Sequence, residues 1–512
     1  MRKTILILVV VLAVAVVLPM GTVQAQQEGG DLVIAMGTEP EGLDPIDVSS
    51  SPAAMVMMHN MEALFDMTPE GEIVPHLAKG YEVSSDGLEY TIELREGIEF
   101  HDGVYFDAEA AKFNLERFLD EEAPFSFLID EVEEIEVIDD YTIKLILEEP
   151  FAPMMAHLSH DFISMVSPEA VEELGDDLTT NPVGTGAFEF VEWTRGEEIV
   201  LERNEDYWGD APHLDTITFR FVPEDSTRAV QVETGEAHAA NFIPPHEMER
   251  LEEVEDVNVV PATSLRTIYI GLNHTKEPFD DARVRRALNY AVDNRAIVEQ
   301  VMQGAGRPSD APISPDIFGY SEQEVYEYNP DKARELLAEA GYEDGFETVL
   351  NHPTGRYMMD NTIAEAVQSQ LADVGVDAEL ETMEWGTYLD YTDAYAEESE
   401  HEMFMLGWGT VTGDADYGLY ATLHSDEWVP YSSNRSYNRY PEFDALLDEA
   451  RVQTEPEVRE ELYAQAISEV WEQAPWIFLH SEVQINIERE EVEGLVHHPR
   501  EYISAIEAYL EE

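Results

Sequence analysis

Strand patterns and helix patterns alternate along this sequence from Asp31 almost to its end, with no repeat at a fixed period. That interleaving constrains the fold more than any other feature, because strands separated by amphipathic helices close into layered α/β or α+β proteins. Asp31 to Met36 reads as a buried strand, with Leu32, Val33, Ile34 and Ala35 in a row, and it stops at the turn residues Gly37, Pro40, Gly42 and Pro45. Tyr90–Leu94, Tyr141–Leu147, Glu198–Arg203 and Thr216–Val222 alternate as half-buried strands do.

Helices fall between them. Asp107 is placed to cap a helix reaching Leu119, with Ala111, Leu115 and Phe118 on one stripe. Asn329 and Pro330 form a cap followed by a first-turn proline. Ala333, Leu336, Leu337 and Ala340 then keep helical spacing up to Gly341. Asp281–Val301 and Asp360–Val374 are predicted as two further helices. At about 150 residues per domain, 512 residues suggest roughly two to four domains. No linker or composition break separates them, so the domains are expected to be joined by several chain crossings. The candidate crossings are the extended segments Arg266–Asn273 and Phe478–Ile487.

Charge excludes whole classes of partner. With 28 Lys plus Arg against 109 Asp plus Glu, the net charge is −81. Such a surface repels phosphate backbones and anionic membranes, so nucleic acid is excluded as a partner. Only 6 of the basic residues are Lys. Few lysines and a carpet of carboxylates point to adaptation to high salt, where screening removes self-repulsion. Without cysteine there is no disulfide, thiolate nucleophile or thiolate metal ligand.

The first residues read as a secretory leader. Arg2 and Lys3 precede an unbroken apolar run from Ile5 to Leu18, then Pro19, and Val23 and Ala25 suit cleavage after Ala25. The run is shorter than the ~20 residues of a membrane span; an uncleaved anchor is the alternative reading. The expected mature chain is exported, periplasmic or extracellular, with a charge of 26 − 109 = −83.

Familiar catalytic strings are missing. There is no G-x-S-x-G elbow and no phosphate loop. His246-Glu247 and His401-Glu402 begin a zinc-protease pattern, but Arg250 and Met405 stand where the second histidine belongs. Asp414 to Gly418 starts like a calcium loop whose twelfth position, Ser425, cannot supply the bidentate glutamate.

Several separated stretches together carry a resemblance. Asn181 to Phe188 (NPVGTGAF), Glu202 to Trp208 (ERNEDYW), Phe279 to Val292 (FDDARVRRALNYAV) and Asn329 to Leu337 with Ala340-Gly341-Tyr342 resemble the family 5 extracellular solute-binding proteins. Glu384-Trp385 and Gly407-Trp408 extend the likeness across the chain in family order. The resemblance implies an α/β, two-lobed fold of the type II periplasmic-binding-protein kind, with an extra subdomain in lobe one. Mapped here, residues 1–25 are the leader. Lobe one comprises 26–50, 181–265 and 481–512, its inserted subdomain 51–180, and lobe two 266–480. It further implies a monomeric, non-enzymatic, cofactor-free binding subunit of an ABC importer. That subunit would capture peptides or a glutathione-like compound by hinge closure and pass it to a membrane permease. A secreted salt-adapted hydrolase, or a nickel or haem carrier on the same fold, is the alternative.

The resemblance also suggests where ligand is held. In dipeptide receptors an aspartate three residues after a cleft tryptophan meets the ligand ammonium; three after Trp408 stands Val411. The local string Gly407 to Tyr417 (GWGTVTGDADY) is more similar to glutathione-receptor-like members. It makes Asp414 and Asp416 the candidate ammonium partners, unless they cap the following helix. Arg356, in a turn before a helix, is the candidate carboxylate clamp, with Arg266 a second one. Trp385, Tyr388, Trp408 and Tyr417 are candidate cleft walls, faced from lobe one by Gly37, Thr38 and Glu39.

Overall fold

In a computed structural model, residues 29–119, 123 and 125–511 are described. The leader and its cleavage point lie outside them. Among the described residues no helix is long and apolar enough to cross a membrane.

One eleven-stranded sheet runs through the molecule. At one end Asp31–Met36 pairs in parallel with Thr216–Phe221 on one side and Ala239–Ala240 on the other. At the other end Phe346–Pro353 pairs in parallel with Val376–Met383 and with Met403–Gly409. These two parallel groups are joined by a long antiparallel pair, Val257–Leu272 with Trp476–Arg489. The predicted crossing segments fall on this pair: Phe478–Ile487 lies inside the second strand, and Arg266–Leu272 ends the first. Register shifts between Thr263 and Thr267 and at Ile268/Tyr269 break the ladder near its middle. Bulges of this kind bend a strand and raise its twist.

Alternation along the strands builds cores on both faces. Ile34 and Met36 join a core made largely by residues 32–221 and closed by the C-terminal segment around Tyr502 and Ile503. Ala35, between them, joins a second core on the opposite face with Ala240, Ile485 and Ile487. A third core surrounds Tyr463, Trp476 and Phe478. The segment between the first helix and Thr180 carries its own four-stranded antiparallel sheet, Ala78–Val83, Glu89–Leu94, Thr142–Leu147 and Val132–Asp139.

Most predicted elements form. Asp107 accepts from the Ala110 amide and caps Ala108–Phe118, and Asn329 caps Pro330–Ala340, which ends at left-handed Gly341. The predicted helix Asp281–Val301 does not run through. Ala282–Ala291 stops at extended Val292, and Asp293 starts a new turn by capping Ala296. Apolar spacing continues across this break, so hydrophobic periodicity alone could not reveal it.

Candidate functional site

In open parallel sheets ligand sites form beyond the carboxyl ends of the strands. Most of the site candidates occupy such positions here. Gly37, Thr38 and Glu39 follow Asp31–Met36. Arg356 follows Phe346–Pro353, Trp385 follows Val376–Met383, and Trp408 ends Met403–Gly409 with Asp414 just beyond. The two crossing strands lie between these two sets in the sheet, and the seam along them is the candidate site.

On the first side, Gly37 must be glycine for close approach: a Cβ there would stand 2.9 Å from the Arg228 guanidinium. Buried Arg228 donates to the carbonyls of Val222 (2.8 Å), Asn241 (3.2 Å) and Phe242 (2.8 Å), tying together the loops that leave the parallel strands. Thr38 is exposed. Glu39 accepts from the Trp193 indole (2.9 Å) and the Gly196 amide (3.1 Å), so its carboxylate is engaged within its own side of the seam.

On the second side, Arg356 is exposed and its backbone amide is held by Asp360 at 3.0 Å. Its guanidinium lies 5.0 Å from the ring centroids of both Tyr357 and Trp385. Among the described residues no carboxylate lies within 4.0 Å of it, in a chain with 109 acidic residues. Met359, three residues on, has φ 59, the left-handed conformation rare outside glycine, and such residues cluster at functional turns. Trp408 is half-buried and donates its indole N–H to the Tyr417 carbonyl at 3.2 Å.

Three candidates are corrected by what they touch. Tyr388 has no exposed surface and donates its hydroxyl to the Met405 carbonyl at 2.8 Å, so it is core and not a cleft wall. Asp414 caps the helix Ala415–Leu423, and both its oxygens lie 2.8 Å from Arg459 Nη2. Its charge is matched inside the fold. Arg266 makes a two-pronged pair with Glu501, 2.8 Å at each prong, and so is not a free clamp. Asp416 is buried, 3.3 Å from Arg451 Nε and 3.8 Å from His157 Nε2. Burial pushes its carboxyl up to about 6, with Arg451 pulling the other way.

Sequence reasoning missed Glu482 and Glu501. Burial and the neighbouring Glu501 push Glu482 up to about 7, against the pull of Arg266 and Arg356. Burial opposes ionisation of Glu501 too, but Arg266 and the Ser264 hydroxyl hold it below the usual carboxylate range. Nothing local marks these residues, since Arg266 and Glu501 are 235 positions apart.

The part of the chain that carries the four-stranded sheet makes contacts with residues of this region and of the C-terminal segment. The Ala152 amide donates to the Arg451 carbonyl at 2.7 Å, and Tyr417 stacks on Phe127 with centroids 6.1 Å apart. Arg500 spans Val411 O (2.7 Å), Ser159 O (2.8 Å) and Asp161 Oδ1 (3.1 Å). Two surface concavities, of about 500 Å³ around Arg220 and Glu224 and about 400 Å³ around Tyr105 and Phe113, lie off this seam. Neither is lined by any of the site candidates. Among the described residues no group of three or more His, Asp or Glu side chains is placed to hold a metal ion.

Comparison with known proteins agrees with this architecture. The pattern of the bacterial extracellular solute-binding proteins, family 5 (middle region), matches residues 72–429. The glutathione-binding protein GsiB of Pectobacterium atrosepticum is 34% identical over 491 residues, covering 94% of each chain. The periplasmic binding protein DppA from Helicobacter pylori, solved with the peptide STSA, superposes with a TM-score of 0.83 at 31% identity, covering 95% of this chain and 99% of that one. AgaA from A. tumefaciens R10, solved with agropinic acid, gives 0.81 at 27% identity, covering 94% and 99%. With two parallel strand groups bridged by a crossing pair, and with relatives alike over nearly their whole length, this chain belongs to the family 5 extracellular solute-binding proteins.

Proposed function

We propose that the protein is the exported binding subunit of an ABC importer, capturing a peptide or glutathione-like carboxylate at the seam and delivering it to a membrane permease. Of the proteins named above, one is a glutathione-binding protein, one was solved with a peptide and one with agropinic acid, which supports a carboxylate ligand of that general kind. Lobe one is placed at 26–50, 181–265 and 481–512 with 51–180 inserted, and lobe two at 266–480. The crossing strands serve as the hinge. Ligand shifts the open–closed equilibrium by its difference in affinity for the two forms, because only the closed form contacts it from both sides. The protein performs no chemistry on what it carries.

Arg356 is the observation that carries this reading. It is a cation with no carboxylate within 4.0 Å among the described residues, propped on two aromatic faces at the C-terminal end of a parallel strand. Guanidinium grips a carboxylate through two parallel hydrogen bonds, and the grip strengthens as closure excludes water. Trp385 and Trp408 supply apolar wall beside it. The test is mass spectrometry of ligand released from purified protein, followed by calorimetry with that compound on the parent and on Arg356→Ala. An intact carboxylate bound by the parent and lost by the variant is expected. Release of cleaved product at a catalytic rate would move the protein to the enzymes.

A further inference from the structure

Arg266 stands between two buried carboxylates. Its Nε and Nη2 each reach a Glu501 oxygen at 2.8 Å, and its Nη1 donates to the Gly407 carbonyl at 3.4 Å. Glu482 Oε2 lies 3.6 Å from the same Nε, beyond hydrogen-bond distance. One guanidinium thus faces two acids, and its close pair is with Glu501. With both acids ionised, this cluster on the crossing strands carries a negative charge in excess. Among the described residues no other cationic side chain comes within 4.0 Å of Glu482. Burial and Glu501 oppose its ionisation more than Arg266, Arg356 and the Met358 amide favour it, which places the carboxyl at about 7.

The strand sets Glu482 among open polar groups. Along Trp476–Arg489, Leu479 and Ile485 enter the second core and Phe478 the third, so His480, Glu482 and Gln484 share the face of Phe478. Thr263 pairs with Val483 and Thr267 with Ser481, so Ser264, Leu265 and Arg266 stand against Glu482 alone, where the ladder is broken. On the other edge Gly306 is directly opposite Glu482 and has no side chain to cover the carboxylate. His480 and Gln484 are 1% and 2% exposed, and both ring nitrogens of His480 and Nε2 of Gln484 lack a hydrogen-bond partner. Buried polar groups are nearly always satisfied, so these atoms ask for a ligand group or bound water. Alternate residues of a strand are about 6.7 Å apart, a span that the amine and first carbonyl of one aminoacyl unit bridge with their hydrogen bonds.

We propose that Glu482 holds a ligand ammonium, with Gln484 Nε2 donating to the carbonyl beside it, so that the compound carried has a free α-amino group. The proposal rests on the reading of the seam as the ligand site. In the dipeptide receptors an aspartate does this work from the position of Val411, and the nearby Asp414 is spent on Arg459. Glu482 is the carboxylate left without a guanidinium of its own. A ligand ammonium cancels the excess charge and is held more strongly as closure excludes water, whereas an N-blocked ligand leaves that charge buried and unmatched.

Calorimetry on the purified protein in molar NaCl tests this with trialanine, glutathione and the N-acetyl form of each. Each free amine is expected to bind about tenfold tighter than its N-acetyl form, or more, as a matched buried charge requires. Glu482→Gln should cost the free amines about tenfold and the N-acetyl forms less than about threefold, which removes the preference. Because the acid must be ionised to hold an ammonium, the parent's affinity for the free amines should rise about tenfold between about pH 5.5 and 7.5, and Glu482→Gln should abolish that rise. A purely structural role would not move the pH profile. Should Glu482→Gln fail to fold, Gln484→Leu decides, with the same selective loss of the free amines expected. Equal binding of the two forms by the parent, or free-amine affinity within threefold of the parent in the folded variant, means that water fills the strip and overturns the proposal, while the receptor reading stands. Where no probe binds, the co-purified compound decides. Its loss from Glu482→Gln supports the proposal if it carries a primary amine, and a compound without one overturns it. Unchanged occupancy in Glu482→Gln overturns the proposal, and unchanged occupancy in Arg356→Ala as well overturns both readings.

Discussion

Arg266 and Glu501 form a two-pronged ion pair, Nε and Nη2 each 2.8 Å from a carboxylate oxygen, that ties the first crossing strand to the C-terminal segment. Both are buried, and the Ser264 hydroxyl donates to the same carboxylate at 2.8 Å. Glu501 has φ 75, a left-handed conformation that a side chain other than glycine rarely adopts, so the pair also holds an unfavourable backbone in place. Removing one partner of a buried pair leaves the other uncompensated and typically costs about 3–5 kcal/mol. Glu482 stands 3.6 Å from Arg266 and still offsets part of its charge, so Glu501→Gln is expected to lower the unfolding free energy by less than that, read from denaturant titration. The double variant Arg266→Met/Glu501→Met should recover most of the loss. An additive double variant would show that the two residues are not coupled.

Glu482 gives the protein a pH-dependent term with a definite sign. Its carboxyl rises from an ordinary 4.5 to about 7, mainly through burial and the neighbouring Glu501. Between those values the folded state holds a proton that the unfolded state has released. Stability from this group is thus fully present below about pH 4.5 and is lost as pH rises through about 7. Glu482→Gln removes the loss, since an amide cannot ionise. Relative to the parent, the variant's melting temperature should climb from pH 5 to pH 8 and then level off. A difference that shrinks over that range contradicts the assignment.

Salt should stabilise the fold. At a net charge of −81 the compact state repels itself, and screening shortens from about 10 Å at 0.1 M salt to about 3 Å at 1 M. Melting temperature should rise steeply across that interval in NaCl, and by less if Glu-to-Lys substitutions on the surface lower the charge. A flat melting curve from low to molar salt would remove the case for salt adaptation.

What the sequence made legible was local or patterned. The strand Asp31–Met36, the caps Asp107 and Asn329 and the stop at Gly341 each follow from a few adjacent residues, and all four form. The segments Arg266–Asn273 and Phe478–Ile487 read as extended, and both lie on long strands, the first as far as Leu272. What stayed hidden depends on partners far along the chain. Asp414 looked free because Arg459 lies 45 positions away. Arg266 looked free because Glu501 lies near the other end. Tyr388 carries a polar tip, as a cleft wall would, but that tip is spent on two backbone carbonyls that no spacing rule reveals. In a chain with four carboxylates for each cation, the useful question was which cation stays unmatched, and only the folded arrangement answers it.

Arg356 and Asp414 should respond to mutation in opposite ways. Arg356 is exposed, meets two aromatic faces and has no carboxylate within 4.0 Å among the described residues, so removing it leaves no buried charge behind. Arg356→Ala should leave the melting temperature of the ligand-free protein within about a degree of the parent, because surface changes of this kind are usually worth less than about 0.5 kcal/mol. Its affinity for a carboxylate ligand should fall by about two decades or more, the scale of a lost charge-assisted bidentate contact. Asp414 is buried, caps the helix that follows it and neutralises Arg459, which also touches the Tyr463 hydroxyl at 2.9 Å. Asp414→Asn keeps a capping oxygen but strands the Arg459 charge, so it should destabilise the protein by about 3–5 kcal/mol. Where it still folds, its affinity measured well below its melting temperature should stay within threefold of the parent. Calorimetry and thermal melts on the two variants separate the roles. If Asp414→Asn loses affinity while keeping its melting temperature, Asp414 belongs to the ligand and its pairing with Arg459 is secondary.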